Sequence, residues 1–150
     1  MLAKALKAAI PHIETDVFRS CWSQHDNAFN GVDAVVTYCD GGSGHMVNPH
    51  LEEVDRLMKK GVGMACIHYA VEVPNGESGR RCLDWIGGYF EAHWSVNPHR
   101  TAKFDTFPDH PIARGVQPFE INDEWYYHMR FRENMQGVTP ILSDVRRSVR

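Results

Sequence analysis

The stretch Gly61–Ala70, GVGMACIHYA, decides how the rest of this sequence is read. Val62, Met64, Ala65, Cys66 and Ile67 form a near-continuous apolar run without alternation, which is the pattern of a strand buried on both faces of a parallel sheet. The run stops at His68, and Tyr69-Ala70 follow where such a strand turns towards its next helix. In open α/β sheets ligands bind outside the carboxyl ends of the strands, so His68 falls where this architecture puts its chemistry.

Working back from that strand, residues 48–60 carry the signals of a helix. Asn48 suits a cap, Pro49 the first helical position, and Glu52 and Glu53 the positive end of the dipole. Leu51, Val54, Leu57 and Met58 form the apolar stripe, Lys59 and Lys60 match the negative end, and Gly61 is the stop. Before it, Ala34–Cys39 is a buried strand rich in β-branched residues, running into the flexible glycine loop Asp40–His45. Strand, loop, helix and strand make a βαβ unit. Both strands then end on one edge of the sheet, which brings His45 and His68 to the same side.

The remaining segments are less sharply marked. Leu2, Ala5, Leu6 and Ala9 have helical spacing up to Pro11. Ile13–Phe18 reads as a short strand, and Asp26–Val32 as a loop with about one helical turn. Beyond the central strand, Glu72–Gly79 is a polar loop, Arg80–Ile86 a short helix broken by Gly87-Gly88, and Thr101–Phe107 an alternating, half-exposed strand. Asp109-His110-Pro111 is a turn. Glu120–Phe131 packs acidic and aromatic side chains without a period, Val138–Leu142 reads as a last strand, and DVRRSVR is a tail.

Composition removes several function classes. Sixteen basic against 19 acidic side chains give a formal charge of −3, so there is no basic field for nucleic acid. No apolar run reaches membrane-span length, and the first residues lack a signal-peptide pattern, which favours a cytoplasmic location. Length and even composition fit one domain. Cys21, Cys39, Cys66 and Cys82 are scattered, with no Cys-x-x-Cys pair, and read as thiols in a reducing compartment. The nine histidines come without a short-spaced ligand motif.

Asp40–His45 matches neither the Walker pattern nor the dinucleotide fingerprint, so no nucleotide cofactor is implied. Its glycines serve either a crossover turn or the close approach of a ligand to the backbone. Cys66 lies inside the apolar run, two residues before the strand end, and reads as an inert core thiol rather than a nucleophile. His68 is the candidate for chemistry by position. His93 follows a Gly-Gly break, and His110 precedes Pro111 in a turn. Asp123 and Glu124 stand beside Trp125, Tyr126 and Tyr127, a composition found both in sugar pockets and in aromatic cores.

The pieces GGSGH at Gly41–His45, GMACIHYA at Gly63–Ala70, IGGYFEAHW at Ile86–Trp94, DHPIARGV at Asp109–Val116 and NDEWYYHMRF from Asn122 recur in an order and spacing that resembles the ThuA-like (trehalose-utilisation) family. The resemblance implies an α/β, three-layer α/β/α sandwich of flavodoxin-like type, related to class I glutamine amidotransferases but without their Cys-His-Glu triad. It implies a small-molecule sugar substrate, a disaccharide such as trehalose handled through keto-sugar intermediates. Carried over by position, His68, His93 and Glu124 become the catalytic candidates, and His45, His110, Asp123 and Tyr126 the substrate contacts. One histidine would act as general acid or base, with Asp123 or Glu124 as its partner, because imidazole ordinarily titrates near operating pH. A divalent metal on His68, His93 and Glu124 is left open, as is a homo-oligomer. The family's first strand would precede Met1 and its last elements follow Arg150, so the sheet is expected to lack its first strand and the domain to be truncated at both ends. The rival readings are a non-catalytic carbohydrate-binding or degenerate amidotransferase-like domain, or an inactive fragment.

Overall fold

The computed structural model describes residues 1–20, 22, 23, 25 and 27–144. Cys21, the first residue of the 26–32 loop, and all of the expected tail beyond Asp144 lie outside the described residues. The elements run α1 (Leu2–Ala9), β1 (Ala34–Tyr38), α2 (Leu51–Lys59), β2 (Gly63–Ile67), β3 (Glu72–Val73), α3 (Glu77–Ile86), β4 (Gly88–Glu91), β5 (His99–Phe104), β6 (Phe119–Glu124) and β7 (Arg130–Phe131), joined by loops and single 3₁₀ turns. The fold is α/β.

The βαβ unit forms as expected. β1 and β2 are parallel neighbours in register from Ala34 opposite Gly63 to Tyr38 opposite Ile67, and α2 connects them. Gly61 ends the unit's helix at φ +87, a left-handed conformation that favours glycine. Val54 and Leu57 are buried, with Leu51 and Met58 packed beside them. Asn48 does not cap this helix. It opens a 3₁₀ turn (Asn48–His50), donates from Nδ2 to the carbonyls of Gly42 and Ser43 at 3.1 and 3.0 Å, and accepts from Ser78 Oγ at 2.9 Å.

Two-sided burial of β2 does not hold. Met64 and Cys66 are half-buried, while Gly63, Ala65 and Ile67 are exposed, and β1 alternates in the same sense. A two-stranded sheet has one strand neighbour per strand, and here only one of its faces is packed: Trp22, Val47 and Val54 form a core with Met46, Met58 and Met64. The fully buried strand is β4, whose four residues are all covered. It pairs with β3 in parallel and β7 in antiparallel, and α3 lies against it. Val73, Cys82 and Tyr89 form this second core, and Trp85 touches both cores.

Other boundaries shift. The polar loop 72–79 contains the short strand β3, with Val73 only 1% exposed, and α3 starts at Glu77. Residues 13–18 and 138–142 are not strands: neither segment has a strand partner, and Pro140 removes a backbone donor from the second. The alternating segment forms β5, with Ala102 and Phe104 buried, and pairs along its whole length with β6 in antiparallel. α1 is helical, but none of its residues is buried. Among the described residues no helix is long and apolar enough to cross a membrane.

Candidate functional site

β2 ends at Ile67, and the chain turns at His68 with φ +57. A left-handed conformation at a non-glycine residue costs on the order of 1–3 kcal/mol and persists only where the surroundings hold it. Here the ring of His68 stacks on Tyr69 at 4.4 Å between centroids, and its Nδ1 lies 2.6 Å from the Tyr126 hydroxyl. Its Nε2 is 3.6 Å from Glu124 Oε2.

Glu124 arrives from the other side, at the end of β6. The register of the antiparallel pair sets it opposite His99, whose Nε2 is 3.5 Å from Glu124 Oε1. Tyr69 donates from its hydroxyl to the same oxygen at 3.4 Å and accepts from Asn97 Nδ2 at 2.8 Å. Glu124 Oε2 is sealed from solvent and has no hydrogen-bond partner. Tyr126 packs edge-on against Phe90 at 4.9 Å, which ties the cluster to the buried strand β4. Burial pushes the Tyr126 phenol well above its ordinary pKa, with Tyr69 and Glu124 adding to the effect. The phenol is therefore a neutral proton carrier at physiological pH.

The orphaned oxygen favours one tautomer of His68. If Nδ1 carried the proton, the lone pair of Nε2 would face the carboxylate and Oε2 would stay unmatched. Leaving a buried charged acceptor unmatched costs about 1–3 kcal/mol or more. With the proton on Nε2, His68 points a donor at Oε2, and a shift of about 0.5 Å brings it into hydrogen-bond range. Nδ1 is then the acceptor for the Tyr126 hydroxyl.

Of the expected site residues, the structure brings together His68, Glu124 and Tyr126. Asp123 is adjacent and exposed, its Oδ1 accepting from the backbone N–H of Glu124 at 2.8 Å. His93 is exposed at φ +68 in the turn after β4, with no hydrogen bond or ion pair to the cluster among the described residues. His110 accepts from the backbone N–H of Ile112 through Nδ1 at 3.2 Å and so caps the short turn Pro111–Ala113. His45 is 2% exposed. Its Nδ1 accepts from the Val47 N–H at 3.1 Å, and its Nε2 lies 3.0 Å from the Ala70 carbonyl. It locks the glycine loop onto the turn after β2, because a buried imidazole takes whatever backbone partners surround it.

The glycine loop itself answers to packing. A Cβ on Gly41 would stand 2.5 Å from Glu72 Cβ and 2.7 Å from the Tyr69 carbonyl oxygen, so the loop crosses at backbone contact with β3 and the His68 turn. Cys66 accepts from Thr37 Oγ1 at 3.4 Å, and burial raises its pKa, which keeps it a thiol. Cys39 and Cys82 are likewise free, with their pKa values raised by burial, Cys82 to about 12. Among the described residues no group of three His, Cys, Asp or Glu side chains is arranged to hold a metal ion, and His93 does not join His68 and Glu124.

Three members of the cluster escaped the sequence reading: Tyr69, Asn97 and His99. For His99 a signal existed. Had Phe119–Glu124 been read as the partner of the 101–107 strand, an antiparallel register would have set His99 against Glu124. Asn97 and Tyr69 carry no local signal, since their roles arise only where three segments meet.

No curated protein and no solved structure matches this chain. A family model does: over residues 4–148 the chain matches ThuA, trehalose utilisation, and it belongs to that family.

Proposed function

We propose that this chain is a sugar-processing enzyme of trehalose utilisation whose acid–base chemistry is carried by His68, acting on a keto-sugar with Glu124 as its partner. The observation that supports this reading most is the placement of one imidazole between a carboxylate and a phenol at the carboxyl end of a parallel strand, with Nδ1 2.6 Å from Tyr126 and Nε2 3.6 Å from Glu124. Paired partners of that kind fix a tautomer and stabilise the imidazolium formed when a proton is taken up. The ring is also reachable, its side chain being 42% exposed. Beside the imidazole, Tyr69 and Tyr126 supply flat faces and hydroxyls suited to a sugar ring.

The test uses trehalose carrying one secondary hydroxyl oxidised to a ketone, incubated with the chain in D2O and followed by proton NMR. Acid–base chemistry next to the carbonyl exchanges the neighbouring C–H for deuterium. His68→Ala is expected to slow this by roughly two to four orders of magnitude, the usual worth of general acid–base catalysis. A wild-type chain that binds the sugar but never exchanges it overturns the enzymatic reading and leaves the non-catalytic binding domain.

A further inference from the structure

Resting on that reading of the site, the geometry points to Tyr126, rather than the imidazole itself, as the group that exchanges a proton with substrate, with His68 and Glu124 acting through it as a relay. Three observations converge on it. Both ring nitrogens of His68 are engaged, Nδ1 by the Tyr126 hydroxyl at 2.6 Å and Nε2 facing the sealed Glu124 Oε2 at 3.6 Å, so neither keeps a lone pair directed outward. The arrangement reproduces the logic of an activated hydroxyl: a carboxylate orients an imidazole, and the imidazole takes the proton of the hydroxyl in front of it. The phenol is held from behind by Phe90 and lies beside Tyr69, with ring centroids 6.1 Å apart, so its position is set by packing.

The proton balance is closed. In the base direction, Tyr126 oxygen takes a proton from the substrate carbon next to the carbonyl while its own proton passes to His68 Nδ1. The electron pair of the broken C–H bond moves into the enolate, and the resulting imidazolium keeps its Nε2–H towards Glu124. In the acid direction Nδ1 returns a proton to the phenol oxygen as the phenol gives its own to the substrate carbon, and exchange of the imidazolium N–H with solvent between the two directions carries deuterium in. Burial, which raises the phenol's pKa, makes a free phenolate unfavourable, so the two transfers must be concerted. The charged and titratable groups facing this pair are Glu124 on Nε2, His99 on the far oxygen of Glu124, Tyr69, and more distantly Glu72 and Asp123.

Two measurements on the 150-residue chain test the relay. The first needs no substrate: long-range proton–nitrogen NMR of labelled histidine should show His68 as the Nε2–H tautomer, with the Nδ1 resonance displaced in Tyr126→Phe and the Nε2–H resonance displaced in Glu124→Gln. An Nδ1–H tautomer overturns the relay. The second is deuterium exchange into the keto-trehalose described above. Tyr126→Phe keeps the ring and its contacts, and should lose exchange by at least about 100-fold while still binding the sugar. Exchange at the wild-type rate in Tyr126→Phe overturns the relay and leaves His68 acting directly. If the wild-type chain exchanges nothing, the enzymatic reading fails by itself, and the tautomer measurement alone decides whether the relay exists.

Discussion

At the scale of single residues, two histidines that the sequence places on one edge turn out to sit in opposite environments. His68 is exposed and held at positive φ, whereas His45 is 2% exposed with both ring nitrogens on backbone groups. Burial lowers the pKa of His45 against the smaller opposing pull of the Ala70 carbonyl. The sign of the resulting linkage follows from which state binds the proton first. The unfolded chain has the higher pKa, so it takes up a proton while the folded chain still resists. Stability from this group is fully present above the ordinary imidazole range and is lost as pH falls through that range towards the lower folded value. His45→Gln should therefore lower stability at neutral pH and flatten the pH dependence of the urea midpoint across that range. An unchanged limb in the variant means that another group is responsible. His45 variants should also alter sugar binding only as far as they loosen the loop.

At the scale of elements, α3 and β4 show how close packing outweighs intrinsic preference. Gly79 sits within α3, where alanine would ordinarily gain about 0.5–1 kcal/mol. A Cβ there would lie 2.6 Å from Tyr89 Cζ and 2.7 Å from its hydroxyl. Tyr89 is 4% exposed and donates to Glu91 at 3.3 Å, and Glu91 is held by Arg130 Nε at 2.6 Å, so the ring has nowhere to swing. Overpacking of this kind costs about 1–3 kcal/mol, and the net effect of Gly79→Ala should be a lower melting temperature. A higher one would show that the ring yields. The same pair of elements explains what the sequence could and could not reveal. The βαβ unit was legible because its glycine stop, charged helix ends and apolar stripe all agree. The burial of β2 is not legible in sequence, because apolar composition reports what can be covered, and cover depends on neighbours that only the fold supplies. β6 was hidden for the converse reason: FEINDE is rich in charge because that pair is half solvated, with Ile121 itself 44% exposed. Hence His68, Glu124 and Tyr126 could be listed as candidates from sequence, while their meeting with Asn97 and His99 required the register of β5 on β6.

At the scale of the whole molecule, the cores and the candidate site are drawn from different parts. The cores lie on one side of the parallel pair and around β4, joined by Trp85, and α2 and α3 are clasped by Arg81, which pairs with Asp55 at 3.0 Å, and by Trp85 donating to Asp55 at 3.2 Å. Lys59, 2.6 Å from Asp55, together with Trp85 and Arg81 holds the Asp55 carboxyl down to about 2. The candidate site, in contrast, lies between the parallel pair and the β5–β6 pair, where the side chains of His68, Tyr69, Glu124 and Tyr126 meet. Apolar surface stays outside both cores on the outer face of β1 and β2, where Val36, Tyr38 and Ile67 are exposed, and along the stripe of α1. An eight-residue helix is marginal in water unless tertiary packing supports it, so α1 should add almost nothing to global stability. The same substitution on two helices puts this to the test. Leu57→Ala removes an 8%-exposed side chain from the core under the sheet and should cost about 2–5 kcal/mol. Leu6→Ala has nearly the same helix propensity change but touches no core, and should stay within about 0.5 kcal/mol of the parent in urea unfolding. Comparable losses from the two would mean that α1 docks in solution, and the bare face of β1 and β2 would be the first place to look for it.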